Sequence, residues 1–444
     1  MTFKNLARAG FLFLALSFPS LADQQYIVRV NPATVNGVIA KYAGAWISRA
    51  LPGSGSGVFV VNLPSGPLGS LLVQLLQRDP AIASIEPDNP VGLPVPSASS
   101  VPASARPKLP SLVDSKTYVN YFGSPAWGSY VGQAAATLVG VNASHRYATG
   151  AGVVATIDTG VDATHPALAG ALLPGWDFTR NAAGASELAD LDQDTTPILD
   201  QDTTPILDNA TTIVLNQDTT PILDQDTTPI LDSSLPPAFG HGTMVAGLIH
   251  LVAPTARILP LKAFNSDGSA DLADVIAAVY YAVDHGANVI NMSFSSGADS
   301  AELRKAIAYA SSHNVICVTS VGNDGQAVNV YPAAYAQTIG VGSTSNTDIR
   351  STFSDYGSDV TLAAPGEGII TTYPQNHYAS GWGTSFSTPM VAGAAALLLQ
   401  MNSQLQITQA TQALTQAQPL PGQSLGAGRL DLVRACDYAS RTAH

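Results

Sequence analysis

Gly383-Thr384-Ser385-Phe386-Ser387-Thr388-Pro389-Met390-Val391-Ala392-Gly393 leads directly into Ala394-Ala395-Ala396-Leu397-Leu398-Leu399. The first half is small and hydroxyl-rich; the second is apolar enough for a buried helix. Pro389 predicts a helix over Thr388–Gln400, since proline is tolerated in a first helical turn and not in an interior. Ser385 then lies at the helix N-terminus, where unpaired backbone N–H groups favour negative charge. A nucleophilic serine needs such a place, because its hydroxyl is exposed and the oxyanion it creates finds donors nearby. The alternative at this point is an ordinary helix with a Ser/Thr-rich cap.

Upstream of this stretch, from about Tyr118, short apolar runs alternate with helical ones. Val153–Ile157, Arg257–Lys262, Asn288–Met292, Val315–Ser320 and Thr338–Gly342 are expected strands. Gly242–Leu251, Asp271–His285 and Ala301–Ser312 are expected helices. Strands without polar alternation, separated by helices, argue for an α/β fold: a doubly wound, mostly parallel sheet with helices on both faces. Such sheets bind ligands beyond the carboxyl ends of their strands.

Two further segments carry chemistry. Val154-Ala155-Thr156-Ile157-Asp158-Thr159-Gly160-Val161-Asp162 puts an acid at the end of a buried strand. Gly240-His241-Gly242-Thr243-Met244-Val245-Ala246-Gly247 puts a histidine at the start of a helix. Singly, Asp158 could cap a turn and His241 could be a structural histidine beside tight glycines. In chain order Asp158, His241 and Ser385 follow one of the known orders of a catalytic triad. Three long segments together make chance a poor explanation.

The remainder of the chain frames this domain. Its 444 residues allow two or three domains. Only 11% of them are charged and the net charge is −13, which argues against a nucleic-acid partner. Two cysteines, Cys317 and Cys436, make no disulfide framework, and their pairing is left open. Cys317, within Val315-Ile316-Cys317-Val318, reads as a buried small hydrophobe. Residues 1–22 read as a secretory signal: Lys4 and Arg8, an apolar run from Ala9 to Phe18 too short to span a membrane, then Ser20-Leu21-Ala22 before a cut near Asp23. The mature protein is therefore expected to be secreted or otherwise extracytoplasmic, with no membrane span.

Residues 23–90 read as a small α+β unit, with strands at Tyr26–Val30, Ala45–Arg49, Gly57–Asn62 and Ile82–Glu86 and a helix over Pro67–Gln77. A core this small is marginal alone, which suggests a propeptide that relies on its neighbour; an independent small domain is the alternative. Residues 91–117, rich in Pro, Ser, Ala and Val, form a linker of the kind in which proteolytic cuts fall. Residues 118–444 form the main domain. Inside it, Gln193–Asp200, Gln201–Asp208, Gln217–Asp224 and Gln225–Asp232 all read Gln-Asp-Thr-Thr-Pro-Ile-Leu-Asp, with Asn209–Asn216 a degenerate fifth copy. The proline in each intact copy forbids a continuous helix. A solvated acidic loop, a stacked β-like coil and a calcium-binding segment all remain open for this 193–232 insert.

With these segments in view, the chain resembles a subtilisin-type serine protease from about Tyr118 to about Cys436. The resemblance rests on Asp158-Thr159-Gly160 with Thr164-His165-Pro166, Gly240-His241-Gly242-Thr243, Ser320-Val321-Gly322-Asn323-Asp324-Gly325 and Gly383-Thr384-Ser385-Phe386-Ser387-Thr388-Pro389. Residues 26–90 are similar to the family's inhibitory propeptide. The resemblance implies a self-processed endopeptidase in which Ser385 attacks the peptide carbonyl, His241 moves the proton and Asp158 orients the imidazole. It implies that the Asn323 amide and the Ser385 N–H bind the oxyanion. It also implies that Ser293-Phe294-Ser295 and Val321-Gly322 flank an extended substrate. The implied partners are polypeptide substrates and the chain's own propeptide as intramolecular inhibitor, and a monomer is expected.

Departures and rivals complete the reading. After the His241 helix, His250-Leu251-Val252 runs straight into Ala253-Pro254, so the family's usual calcium loop is expected to be missing. No cofactor is required, and calcium is unsupported. An aspartic protease is one rival, because Ile157-Asp158-Thr159-Gly160 fits that family, but a second such motif is lacking. A secreted binding or adhesion module, with the repeats as its working part, is a rival of another class.

Overall fold

The computed structural model describes residues 23–31, 47–51, 57–93, 117–191, 220–221 and 236–442. The expected signal, most of the linker and nearly all of the repeat insert lie outside the described residues. The chain divides into two units, Met1–Asp88 and Asn89–His444. The boundary falls just before the expected one, and residues 89–93 belong with the larger unit.

Among the described residues, the smaller unit is a four-stranded antiparallel sheet with one helix. Its strands are β1 (Asp23–Val30), β2 (Ile47–Ala50), β3 (Val58–Pro64) and β4 (Ile82–Pro87), in the order β2-β3-β1-β4. Helix α1 (Pro67–Gln77) starts on a proline, where its fixed φ suits the first turn. Leu72 and Leu76 of α1 pack with Val28, Val30, Phe59, Val61 and Leu63. Two residues after β4 ends, Pro90–Gly92 forms β5, which belongs to the larger unit.

The larger unit is built on an eight-stranded sheet. Its strands are β6 (Val153–Asp158), β7 (Trp176–Asp177), β8 (Ala182–Ala183), β9 (Arg257–Lys262), β11 (Val289–Met292), β12 (Ile316–Ser320), β13 (Thr338–Thr344) and β14 (Leu362–Pro365). Their order is β8-β7-β9-β6-β11-β12-β13-β14, and all pairings are parallel except β8 with β7. Helices α2 (His241–Val252) and α5 (Thr384–Met401) pack together on one side of the sheet, and α3 (Leu272–Asp284) and α4 (Ala301–Ser312) pack together on the other. All of α2 is buried, as are residues 384–399 of α5, which fits helices apolar all round. Gly393 lets them approach: a Cβ there would lie 2.7 Å from Val252 Cβ.

Smaller pieces surround this core. β10 (Ser269–Asp271) pairs with β5, and β15 (Ile369–Tyr373) pairs with β16 (His377–Gly381) as a hairpin against α2. Thr220–Pro221, from one repeat copy, pairs with Ser380 and Ala379 of β16. Both cysteines are buried free thiols, and burial pushes each up to about 12.

The expected helix over Thr388–Gln400 is corrected at its start. It begins at Thr384, so Pro389 sits inside it. Proline's missing N–H leaves the Ser385 carbonyl without its helical donor. The Ser293 hydroxyl supplies one instead, at 3.0 Å.

Candidate active site

Three chain segments converge at the carboxyl ends of the central strands. Asp158 is the last residue of β6, His241 the first of α2, and Ser385 the second of α5. All three are buried. His241 Nδ1 lies 2.7 Å from Asp158 Oδ1, which also accepts from Thr159 N at 2.8 Å. Burial alone would lower the imidazole's pKa. The Asp158 charge, its hydrogen bond and the Glu187 charge outweigh burial, and His241 ends above the ordinary histidine value.

Ser385 does not cap its own helix. Gly383 occupies the N-cap with φ 146° and makes no side-chain cap. Ser385 Oγ instead donates to Ser293 O at 3.1 Å, and Ser293 Oγ returns a bond to Ser385 O. Asn291 Nδ2 donates to that Ser293 hydroxyl at 3.0 Å. The reciprocal pair fixes the serine against the segment that follows β11. Of the two readings of this hydroxyl-rich turn, the ordinary cap is the one the geometry does not fit.

Asn323 follows β12 in a loop pinned from behind. Its Oδ1 accepts from Thr384 N and Thr384 Oγ1, each at 2.9 Å, which orients the amide. Its Nδ2 lies 3.2 Å from the point where a Gly383 side chain would begin. Asp355 accepts from Asp324 N at 3.1 Å and Gln326 N at 2.7 Å, and burial pushes its carboxyl up to about 6. Gly322 has φ 98°, and a Cβ on it would sit 2.3 Å from that carboxylate.

The expected flanking edges are placed differently from one another. Ser295 bridges Gly92 in antiparallel fashion, so Ser293-Phe294-Ser295 runs beside an extended piece of the chain. Phe294 is buried against Phe264, with ring centroids 5.2 Å apart. The other edge of that extended piece is β10, where Ser269 faces Gly92, Ala270 faces Val91 and Asp271 faces Pro90. Val321 packs into a small satellite core with Val330, Ala333 and Val360, and the Gly322 carbonyl accepts from Thr384 Oγ1 at 3.3 Å. These two residues adjoin the Asn323 loop.

Sequence reasoning missed a second layer of polar groups. Glu187 is fully buried; its Oε1 accepts from Gly240 N at 2.8 Å and from Thr159 Oγ1. Its Oε2 accepts from Thr243 Oγ1 at 2.6 Å and Thr243 N at 3.2 Å. Lys262, also fully buried, donates to Thr159 O at 2.8 Å, Phe264 O at 2.7 Å and Asp190 Oδ2 at 2.8 Å. Arg180 holds the other oxygen of Asp190. A lone acid in a polar loop, just before an acidic repeat, carries no sequence signal. Among the described residues, no group of three or more His, Cys, Asp or Glu is placed to hold a metal ion. No described helix is long and apolar enough to cross a membrane.

An imidazole oriented by a buried carboxylate, with a serine at a helix start on a doubly wound sheet, is the arrangement of the serine endopeptidases. The sequence profile of the Subtilase family matches residues 150–431, and the chain belongs to that family. Thermitase of Thermoactinomyces vulgaris is 34% identical over 255 residues, covering 55% of this chain and 74% of that protein. Subtilisin BL of Lederbergia lenta is 40% identical over 172 residues, covering 37% of this chain and 64% of that protein. Among solved structures, fervidolysin from Fervidobacterium pennivorans, a keratinolytic enzyme related to subtilisin, aligns with a TM-score of 0.68 at 22% identity. That alignment covers 95% of this chain and 62% of fervidolysin, and it is a likeness of fold.

Proposed function

We propose that the chain is the precursor of an exported, self-processed endopeptidase, with Ser385 as nucleophile, His241 as general base and Asp158 as the orienting acid. The observation that carries this reading is the 2.7 Å contact of His241 Nδ1 with Asp158, which leaves Nε2 as the working nitrogen. Ser385 Oγ gives up its hydrogen bond to Ser293 O when substrate arrives, passes its proton to His241 and attacks the carbonyl. His241 then delivers that proton to the leaving amine, and water repeats the sequence on the acyl-enzyme. The Asn323 amide and the Ser385 N–H face the developing oxyanion. Every group comes from one chain, so a monomer suffices, and no cofactor enters the chemistry.

Substrate docks as an added strand, and the chain supplies its own example. β5 lies between β10 and Ser295, hydrogen-bonded as a peptide would be. Its antiparallel bridge is with Ser295, two residues from Ser293, against which Ser385 rests. Residues 23–90 then act as the propeptide, and the first cut falls in the stretch after Leu93. Intact-mass and N-terminal analysis of the secreted protein tests this. Wild type is expected to begin between residues 94 and 117, and the Ser385→Ala chain to keep its N-terminal unit. Equal processing of both chains would assign the cut to another protease.

A further inference from the structure

We propose that Glu187 is a positioning residue for the triad: its buried carboxylate clamps the turn that carries Asp158 to the helix that carries His241. The inference rests on the serine endopeptidase reading above. The carboxylate accepts from Thr159 Oγ1, Gly240 N, Thr243 N and Thr243 Oγ1. Thr159 directly follows Asp158; Gly240 and Thr243 bracket His241. One side chain therefore ties together the segments that carry Asp158 and His241 without touching the reacting atoms.

The donors are themselves fixed, which makes the clamp rigid. Thr159 Oγ1 accepts from Gly242 N at 3.0 Å while it donates to Glu187. Thr243 Oγ1 accepts from Asp162 N at 2.9 Å while it donates to Glu187. Each hydroxyl thus links the Asp158 turn to α2 through the same carboxylate. Four donors fill the acceptor positions of an ionised carboxylate, and a protonated one would have to release a donor. Among the described residues, no lysine or arginine is hydrogen-bonded to it; the donors are backbone N–H groups and hydroxyls.

The clamp is also electrostatically joined to the imidazole. Burial raises the Glu187 carboxyl to about 7, with the Thr159 and Thr243 bonds and Lys262 opposing and the Asp158 charge adding to the rise. In turn the Glu187 charge helps to raise His241. The groups facing Glu187 from the surrounding elements are Asp158 at the end of β6, His241 in α2, Lys262 in β9 and Tyr373 in β15. Asp190 follows three residues later on the same short turn and is neutralised by Lys262 and Arg180.

Glu187→Gln tests the assignment. Glutamine keeps the shape but turns an N–H₂ toward a donor and removes the charge. The kcat/KM, per serine titrated with a fluorophosphonate, is expected to fall at least tenfold at neutral pH, chiefly in kcat. The acid limb of its pH profile should move to lower pH, because the imidazole loses a supporting charge. Glu187→Asp should keep the limb near its wild-type position. A Glu187→Gln enzyme with unchanged kcat/KM and an unmoved limb, whatever its melting temperature, overturns the proposal. Should that variant not fold, Thr159→Val decides: it removes one donor and leaves the charge, so kcat should drop several-fold with the limb in place, and an unchanged kcat overturns the clamp. Ser385→Ala is the separate control. If it still hydrolyses peptide, the endopeptidase reading itself fails, independently of Glu187.

Discussion

Proline at position 389 has a consequence four residues upstream. Its missing N–H leaves the Ser385 carbonyl to Ser293 Oγ, and the Ser385 hydroxyl bonds back to the Ser293 carbonyl. The backbone and side chain of Ser385, the proposed nucleophile, are thus held by the same neighbouring residue. At this scale the proposed pair of Asp158 and His241 is expected to set the pH response. His241 must be neutral to accept a proton, and its pKa is raised above the ordinary value. The kcat/KM should therefore fall as pH drops through a pKa above 6.5. In Asp158→Asn, burial is left to dominate: the limb should move toward acid while kcat drops by roughly 10⁴-fold. A stopped-flow pH profile checks both, and a limb unmoved in Asp158→Asn would contradict the pairing. The three residues proposed as the triad stood out in the sequence because each sits in a long segment whose glycines and small residues have no other ready use. Glu187 did not, because its place comes from burial and from four donors on three residues distant in sequence, and neither leaves a local pattern.

Elements set the distance between these residues. Gly242 has no room for a side chain: a Cβ there would lie 2.0 Å from Gly160 O. Helix α2 therefore rests backbone to backbone on the Asp158 turn. Gly242→Ala must push the two apart, and displacement of about 1 Å near the chemistry can cost on the order of 100-fold. The expected result is a fall of at least that size in kcat/KM; full activity in Gly242→Ala would show that the contact does not set the geometry. The apolar runs announced the central strands and α2 to α4, since a sheet buried on both faces needs no polar alternation. The start of α5 was misplaced by trusting the proline rule alone, when a tertiary hydroxyl could replace the lost donor. β10 was missed because three residues, Ser269-Ala270-Asp271, are too few to show a period. β14 to β16 were missed because short strands of mixed composition between loops resemble turns.

At the scale of the whole molecule, the segments that flank the repeat insert are anchored at the site, and within the insert Thr220–Pro221 pairs with β16. Before the insert, Glu187 and Asp190 are tied into the network around Thr159, His241 and Lys262. After it, Ala238 N donates to Ser266 O at 2.7 Å and Gly240 N to Glu187. Both flanking anchors lie outside residues 193–232, so removing the repeats, with the loss of the pairing to β16, should leave Asp158, His241 and Ser385 in place. The rival reading, a binding module that borrows a protease scaffold, expects the opposite dependence. One measurement separates them and tests the central claim that Ser385 is an activated nucleophile. The processed protein, a 193–232 deletion and Ser385→Ala are each labelled with a fluorophosphonate probe. The account predicts stoichiometric labelling of the first two and none of the third. Folded, propeptide-free wild type that takes no label would contradict it.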